Sequence, residues 1–300
     1  MTAAALVAAA LAGIGLPHLL RLERADPATA VVLWGAALGL RALVVVGTVA
    51  GALVLLHPAQ LLRAFAQWPC APHHHVAGHA LAAAGGLALA LSFVWALARV
   101  VQATLAVRRL VRRPLGRGPE GSVIVGGDDV VLAAAGLTRP TLVVSAGALT
   151  RLDDAELSAA LAHERAHIRR RHRWVLLIAE LCRVLGRPLP GTAHAVRELR
   201  FQIERDADRS AVRDRADRLA LASAICKAAT GASTRPGMAA LGGDGTAARV
   251  RELLQDVVPD AHPVRLRALA AGAAALVVGA ALSLPVTVSG LGDPVALCGP

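Results

Sequence analysis

Lysine and tyrosine are nearly missing from this chain. Lys227 is the only lysine, tyrosine is absent, and all aromatic residues together make up 2% of the sequence. A formal net charge of +11 would suit a nucleic-acid-binding protein, but such proteins combine basic side chains with aromatic ones that stack on bases. The arginines here cluster beside apolar segments instead, as in the stretch 108–117. We therefore expect no nucleic-acid partner.

Charged residues are also scarce. They make up 18% of the chain, against 55% hydrophobic residues, and the mean hydropathy is positive. This balance is too apolar for an ordinary soluble domain of 300 residues. The lipid bilayer is thus an expected partner, and apolar segments of sufficient length for transmembrane helices occur at 2–20, 28–56, 77–107 and Leu266–Val288.

The arginines predict the orientation of these spans. Arg21 and Arg24 follow the first span, and five arginines within 108–117 follow the third, so both segments are expected in the cytoplasm. The loop at 57–76 and the C-terminal tail are then extracytoplasmic. Arg41 interrupts the second span, where a charge must face the bundle interior or a polar partner; we favour a packed structural arginine over a functional one.

Cysteine is rare and irregularly spaced. The four cysteines include no CxxC pair, which argues against a thiolate zinc site and against a disulfide-rich scaffold. Cys70 and Cys298 both fall in predicted extracytoplasmic segments, where oxidation is favoured. We predict a disulfide between these two, with two unpaired thiols as the alternative.

About 150 residues separate the third and fourth spans, enough for one compact domain. The expected elements are strands at 122–125 and 141–145 with a turn at 126–129, a helix from a capping box at Asp153 and Glu156 to beyond His172, and helices at 174–185, 192–215 and 247–258. The helix at 174–185 is read as a core or membrane-interface helix, because it is too short to span. The strand at 141–145 is either an inner strand or an edge that holds a substrate.

The motif with the clearest chemistry is an HExxH in Leu161–His167. A spacing of four residues puts His163 and His167 on one face of a helix, where two neutral imidazoles can bind the same Zn²⁺. Glu164 lies beside the first histidine and can act as the general base toward the attacking water. A surface helix with a spare histidine pair is the weaker alternative, because Leu161 and Ile168 indicate a buried face.

A catalytic zinc site needs a third protein ligand. His172 is one residue out of register for the HExxHxxGxxH pattern, and Glu180 is too near in sequence to lie on a separate ligand helix. Glu204 is the better candidate, since a turn at 188–191 lets the chain double back before it. Asp208 lies one turn beyond and can accept the outer N–H of a ligand histidine. Without the HExxH, the stretch 204–208 would be interpreted as a solvated helix face.

The order of motifs resembles the BlaR/MecR-type membrane metallopeptidases and, more distantly, the HtpX-like peptidases. The matching stretches are Thr141–Ser145, Leu152–Leu157, Ala160–His167 and the ExxxD of Glu204–Asp208. In that family the HExxH histidines and the downstream glutamate bind zinc, so the resemblance implies His163, His167 and Glu204 as ligands and Glu164 as the catalytic residue.

The sequence as a whole predicts a mainly α, polytopic membrane protein with about four transmembrane helices. Its domains are a membrane region at 1–107, a cytoplasmic, largely helical, zincin-like zinc peptidase domain with a small β-sheet at 108–262, and a fourth span with a short tail at 263–300. The expected function is a cell-membrane endopeptidase that cuts a cytoplasmic or membrane-proximal protein, such as a transcriptional repressor. The alternatives are an HtpX-like quality-control protease and a non-catalytic zinc-binding signalling protein.

Overall fold

A computed structural model describes residues 3–20, 22, 25–55, 74–111, 114–231, 245–255 and 263–291. The described chain is mainly helical. The helices are α1 (Ala3–Leu19), α2 (Pro27–Leu55), α3 (His74–Val111), α4 (Ala146–Arg151), α5 (Asp154–Arg169), α6 (His172–Leu185), α7 (Thr192–Ala211), α8 (Arg215–Gly231), α9 (Thr246–Leu254) and α10 (Pro263–Leu291). The strands are β1 (Gly116–Arg117), β2 (Val123–Val125), β3 (Leu132–Ala135) and β4 (Thr141–Ser145), with a 3₁₀ turn at Pro119–Gly121.

Three of these helices are long and apolar enough to cross a membrane. The stretches are Pro27–Ala52 in α2, Ala84–Gln102 in α3 and Val264–Ser283 in α10. They correspond to the second, third and fourth expected spans. The described part of α1 contributes a shorter apolar stretch, Ala10–Leu19, so the expectation of about four spans stays a prediction. Cys70 and Cys298 lie outside the described residues.

A small mixed sheet lies against the domain helices, with the strand order β1-β2-β4-β3. β4 pairs in parallel with β2 and antiparallel with β3. The predicted strand at 141–145 is therefore an inner strand, and β3 forms the sheet edge beside α5. β3 was not predicted from the sequence, because its Ala-rich stretch has no clear alternation.

The domain is built directly on α2. α7 runs antiparallel to the first half of α2: Arg209 lies 3.6 Å from Asp26 at one end, and Gly191 lies against Arg41 at the other. Buried Leu33, Leu38, Leu199 and Ile203 fill the contact. Burying such side chains contributes roughly 1.5 to 3 kcal/mol each, so the domain and this helix form one packed unit.

Three helix ends differ from the prediction, one of them that of the helix predicted over 247–258, which ends at Leu254. The helix that begins at the capping box ends at Arg169 rather than beyond His172, because Arg171 adopts a left-handed conformation with φ 54° and α6 begins at His172. The helix predicted over 192–215 ends at Ala211. Asp214 then accepts a hydrogen bond from the Asp217 N–H at 2.9 Å at the start of α8, a helix that the sequence reading omitted.

Candidate metal centre

The HExxH motif lies in the second half of α5. The predicted capping box is present: the Asp153 carboxylate accepts from the Glu156 N–H at 2.8 Å, and Glu156 accepts from the Asp153 N–H at 2.9 Å. These bonds satisfy backbone donors that a helix start leaves unpaired. The helix then turns His163 and Glu164 into the protein, where they are 2% and 7% exposed.

Three possible metal-binding side chains converge at this point. The Nε2 atoms of His163 and His167 are 3.1 Å apart. The two carboxylate oxygens of Glu204, on α7, lie 3.5 Å from Nε2 of His163 and 3.6 Å from Nε2 of His167. The three residues form a group whose ligand atoms all lie within 4.8 Å of one another.

These spacings suit a tetrahedral metal ion. Ligand atoms bound at about 2.0 to 2.1 Å in tetrahedral geometry lie about 3.3 Å apart, close to the three separations above. Two imidazole nitrogens and one carboxylate are also the ligand types of catalytic zinc sites that keep a fourth position open. The geometry therefore fits a metal bound by His163, His167 and Glu204.

Asp208 and Arg249 lie behind the first histidine. Nδ1 of His163 is 2.8 Å from a carboxylate oxygen of Asp208, although the ring N–H is not aligned well enough to make this a proper hydrogen bond. Arg249, on α9, donates two hydrogen bonds to Asp208 at 2.7 and 2.8 Å and lies 2.9 Å from Glu204. One buried guanidinium thus holds both carboxylates.

The second histidine is held by a hydrogen-bonded chain. Nδ1 of His167 lies 3.0 Å from Nδ1 of His172, and Nε2 of His172 lies 3.0 Å from the Asp206 carboxylate. If His172 is neutral and donates through Nε2, its Nδ1 accepts from the N–H of His167. His167 then presents an unprotonated Nε2 toward Glu204, which is the form that a metal requires.

Glu164 occupies a separate position from the three donors. One carboxylate oxygen accepts a hydrogen bond from the Ala134 N–H on β3 at 2.8 Å. Burial raises the pKa of Glu164, although the charge of His163 and the Ala134 N–H act in the opposite direction. A raised pKa brings a carboxylate closer to the range in which it can accept and return a proton near neutral pH.

The histidine environments are electrostatically unequal. Burial lowers the pKa of His163, but Asp208 and Glu204 outweigh it and raise the pKa to about 10. Burial, followed by the charge of His163, lowers the pKa of His167 to about 3. For Glu204, burial acts to raise the pKa, but His163 and Arg249 bring it below the usual value. The carboxylates therefore favour a positive charge at the point where the imidazoles meet.

The sequence-derived candidates divide clearly. His163, Glu164, His167, Glu204 and Asp208 are brought together, whereas Glu180 pairs with Arg183 at 2.5 Å in another part of the domain. His172, Asp206 and Arg249 were missed as functional residues. The break at Arg171 explains His172, because this residue can reach His167 only when the helix is interrupted. Arg249 had no local signal, since its partners lie more than 40 residues away.

A helix-borne HExxH that meets a glutamate from a later helix, in a protein with long apolar helices, is the arrangement typical of membrane metallopeptidases. Residues 132–250 match the family model described as BlaR1 peptidase M56, which confirms the resemblance found in the sequence. The match begins at β3 and ends in α9, so it includes every residue of the centre. No curated protein and no solved structure matches the chain.

Proposed function

We propose that this protein is a multi-pass, membrane-embedded zinc endopeptidase whose catalytic domain lies in the cytoplasm. Its substrate is a cytoplasmic or membrane-proximal protein. The single observation that supports this most strongly is the convergence of His163, His167 and Glu204 beside Glu164. The BlaR/MecR resemblance favours a transcriptional repressor as the class of substrate.

Zinc is the proposed metal because borderline-soft imidazoles and one carboxylate are its usual ligands in hydrolases. His163, His167 and Glu204 would hold it, and Asp208 and His172 would fix the two rings from behind. When bound, zinc supplies a Lewis acid that polarises the peptide carbonyl and lowers the pKa of water.

Glu164 is the proposed general base. Its hydrogen bond from Ala134 fixes one carboxylate oxygen, which leaves the other oxygen to accept a proton from the attacking water. The same group then returns the proton to the leaving amine nitrogen as the peptide C–N bond breaks. No tyrosine exists in the chain to stabilise the oxyanion, so a His, an Arg or a backbone N–H must act there.

The substrate backbone is proposed to lie along β3. This strand is one of the two edges of the described sheet, and an extended peptide can add to an edge by main-chain hydrogen bonds. Because Ala134 on β3 contacts Glu164 directly, a peptide at this edge would pass beside the general base. The expected substrate segment is therefore extended and unfolded at the cleavage site.

Comparison of cellular protein N-termini tests the proposal. Cells that express the wild type are compared with cells that express Glu164→Gln, and Asp154→Asn serves as a matched control, because it neutralises an exposed carboxylate at the start of the same helix. We expect new N-termini with the wild type and the control but not with Glu164→Gln. Termini in a single repressor would support the proposed substrate class, and termini in many membrane proteins would support the quality-control alternative. If no terminus depends on Glu164, the endopeptidase proposal is wrong.

A further inference from the structure

Arg41 is a buried cation that has no counter-ion among the residues that the structure describes. It is 2% exposed. Nη1 donates a hydrogen bond to the Ala37 carbonyl at 3.3 Å, and Nη2 lies 2.9 Å from Nε2 of His18. Nε has no hydrogen-bond partner. Within the described ranges no carboxylate pairs with this guanidinium, and a buried charge of this kind is costly unless an anion accompanies it.

The start of α7 faces the same guanidinium. Gly191 is the N-cap residue, has φ 79° and provides no side-chain cap. A Cβ atom at Gly191 would lie 3.3 Å from Nη2 of Arg41, a tight contact, and the positive φ also favours glycine at this position. The first N–H groups of a helix carry partial positive charge and seek an acceptor. The N-terminus of α7 therefore directs its positive potential at the positively charged guanidinium of Arg41.

Three rings complete this cluster. His18 and His194 are stacked with centroids 5.3 Å apart, and Trp34 meets both edge to face, at 4.9 and 5.6 Å. Nε1 of Trp34 is buried and has no hydrogen-bond partner. Both histidines are exposed at the outer side, so the cluster opens outward above a buried arginine.

The position of the cluster along α2 corresponds to the membrane surface. α7 covers α2 from Asp26 to Arg41 and carries the exposed Arg197 and Arg200. Such side chains are strongly disfavoured in hydrocarbon. We therefore infer that the hydrocarbon region begins at the N-terminal end of α7, at the level of Arg41.

We propose that Arg41, His18, His194, Trp34 and the N-terminus of α7 form a binding site for a phosphate-type anion. At this depth the headgroup phosphate of an anionic lipid is the expected source, and free phosphate is the other source of the same chemistry. The bound anion would neutralise Arg41 and accept hydrogen bonds from its free N–H group and from the helix start. The inference rests on the proposed membrane setting and is independent of peptidase activity.

Thermal unfolding of the delipidated protein in non-ionic detergent tests the site. Phosphatidylglycerol, phosphatidylcholine and inorganic phosphate are added separately. The wild type should gain about 4 °C with phosphatidylglycerol at a hundredfold excess over the dissociation constant and much less with phosphatidylcholine. His194→Gln and Trp34→Phe should lose most of this gain. Both variants are needed because Arg41→Gln can fail to fold for unrelated reasons.

Arg99→Gln is the matched control, because Arg99 also lies in a candidate span but stacks on the exposed Trp95, at 5.3 Å. This variant should keep the full gain. A His194-dependent gain with inorganic phosphate would identify free phosphate as the source. The proposal is contradicted if no anion stabilises the wild type, or if all variants gain equally. The unfolding measurements require neither metal nor substrate. Failure of the anion-site proposal can therefore be distinguished from failure of the peptidase proposal.

Discussion

Asp208 connects the proposed ligand His163 to the buried Arg249. It lies 2.8 Å from His163 and accepts both hydrogen bonds from Arg249. Its contact with the ring fixes which nitrogen faces the metal. Because Glu204 lies on the same face of α7, one turn earlier, the helix carries both the ligand and its support.

Asp208→Asn should weaken zinc binding by about 10- to 100-fold, because an amide oxygen is a poorer acceptor for the ring N–H than a carboxylate. The dissociation constant is measured by competition with a chelator of known affinity. Asp154→Asn, which removes an exposed carboxylate far from the centre, should bind zinc as the wild type does. Equal affinity in the two variants would show that Asp208 does not support His163.

Arg249 should contribute mainly to stability. It is 4% exposed and pairs with the buried Asp208 and the partly buried Glu204, so Arg249→Met removes the guanidinium partner of both carboxylates and should cost about 3 to 5 kcal/mol. The exposed Arg251 on the same helix offers a control, and Arg251→Met should change stability by less than about 0.5 kcal/mol. Denaturant unfolding of the metal-free proteins gives the comparison. A loss for Arg249→Met no larger than for the control would be evidence against this role.

At the scale of elements, the break between α5 and α6 shapes the centre. Arg171 has φ 54°, a conformation that costs a non-glycine residue roughly 1 to 2 kcal/mol. The break returns the chain so that His172 contacts His167 and reaches Asp206 on α7. A continuous helix would carry His172 past this position.

Arg171→Gly should therefore leave stability unchanged or raise it by up to about 1 kcal/mol, since glycine adopts this conformation without strain. Arg197→Gly, at an exposed position inside α7, should instead cost about 1 kcal/mol. Shifts in the unfolding midpoint of the two variants decide the question. Equal losses would mean that Arg171 is not strained.

Local signals predicted local structure well. The capping box at Asp153 and the β-branched run at 141–145 fix their backbone within a few residues, and both elements are present where expected. Asp214 and Asp217 offer a capping signal for α8. This helix was missed because the predicted helix at 192–215 already included Asp214. Helix ends that depend on one left-handed residue, such as Arg171, leave no composition signal.

For the site too, local signals predicted only the local part of the arrangement. Helical spacing predicted that His163 and His167 share one face and that Glu204 and Asp208 share another, whereas the meeting of the two helices was inferred from the need for a third ligand and from the family resemblance. Arg249 and the His172–Asp206 pair depend on how separate helices pack, which spacing does not encode. The Arg41 cluster likewise joins α1, α2 and α7, and no single stretch of sequence indicates it.

At the scale of the whole molecule, the packing of α7 on α2 links the peptidase domain to a candidate span. The arginine distribution predicts that residues 115 and 240 lie in the cytoplasm, and that residue 66 and the C-terminus lie outside. Reporter fusions at these four positions, with enzymes that are active on only one side of the membrane, test this orientation. A cytoplasmic C-terminus would overturn it.

Zinc content measured together with peptide cleavage, in detergent, tests the central claim most directly. Glu164→Gln keeps all three proposed ligands, so it should retain zinc while turnover falls by roughly 10²- to 10⁴-fold. His163→Ala and His167→Ala each delete a ligand, and Glu204→Gln replaces an anionic ligand with a weak neutral one, so these variants should lose zinc and activity together. Full zinc and activity in Glu204→Gln, or loss of zinc in Glu164→Gln, would contradict the proposed centre.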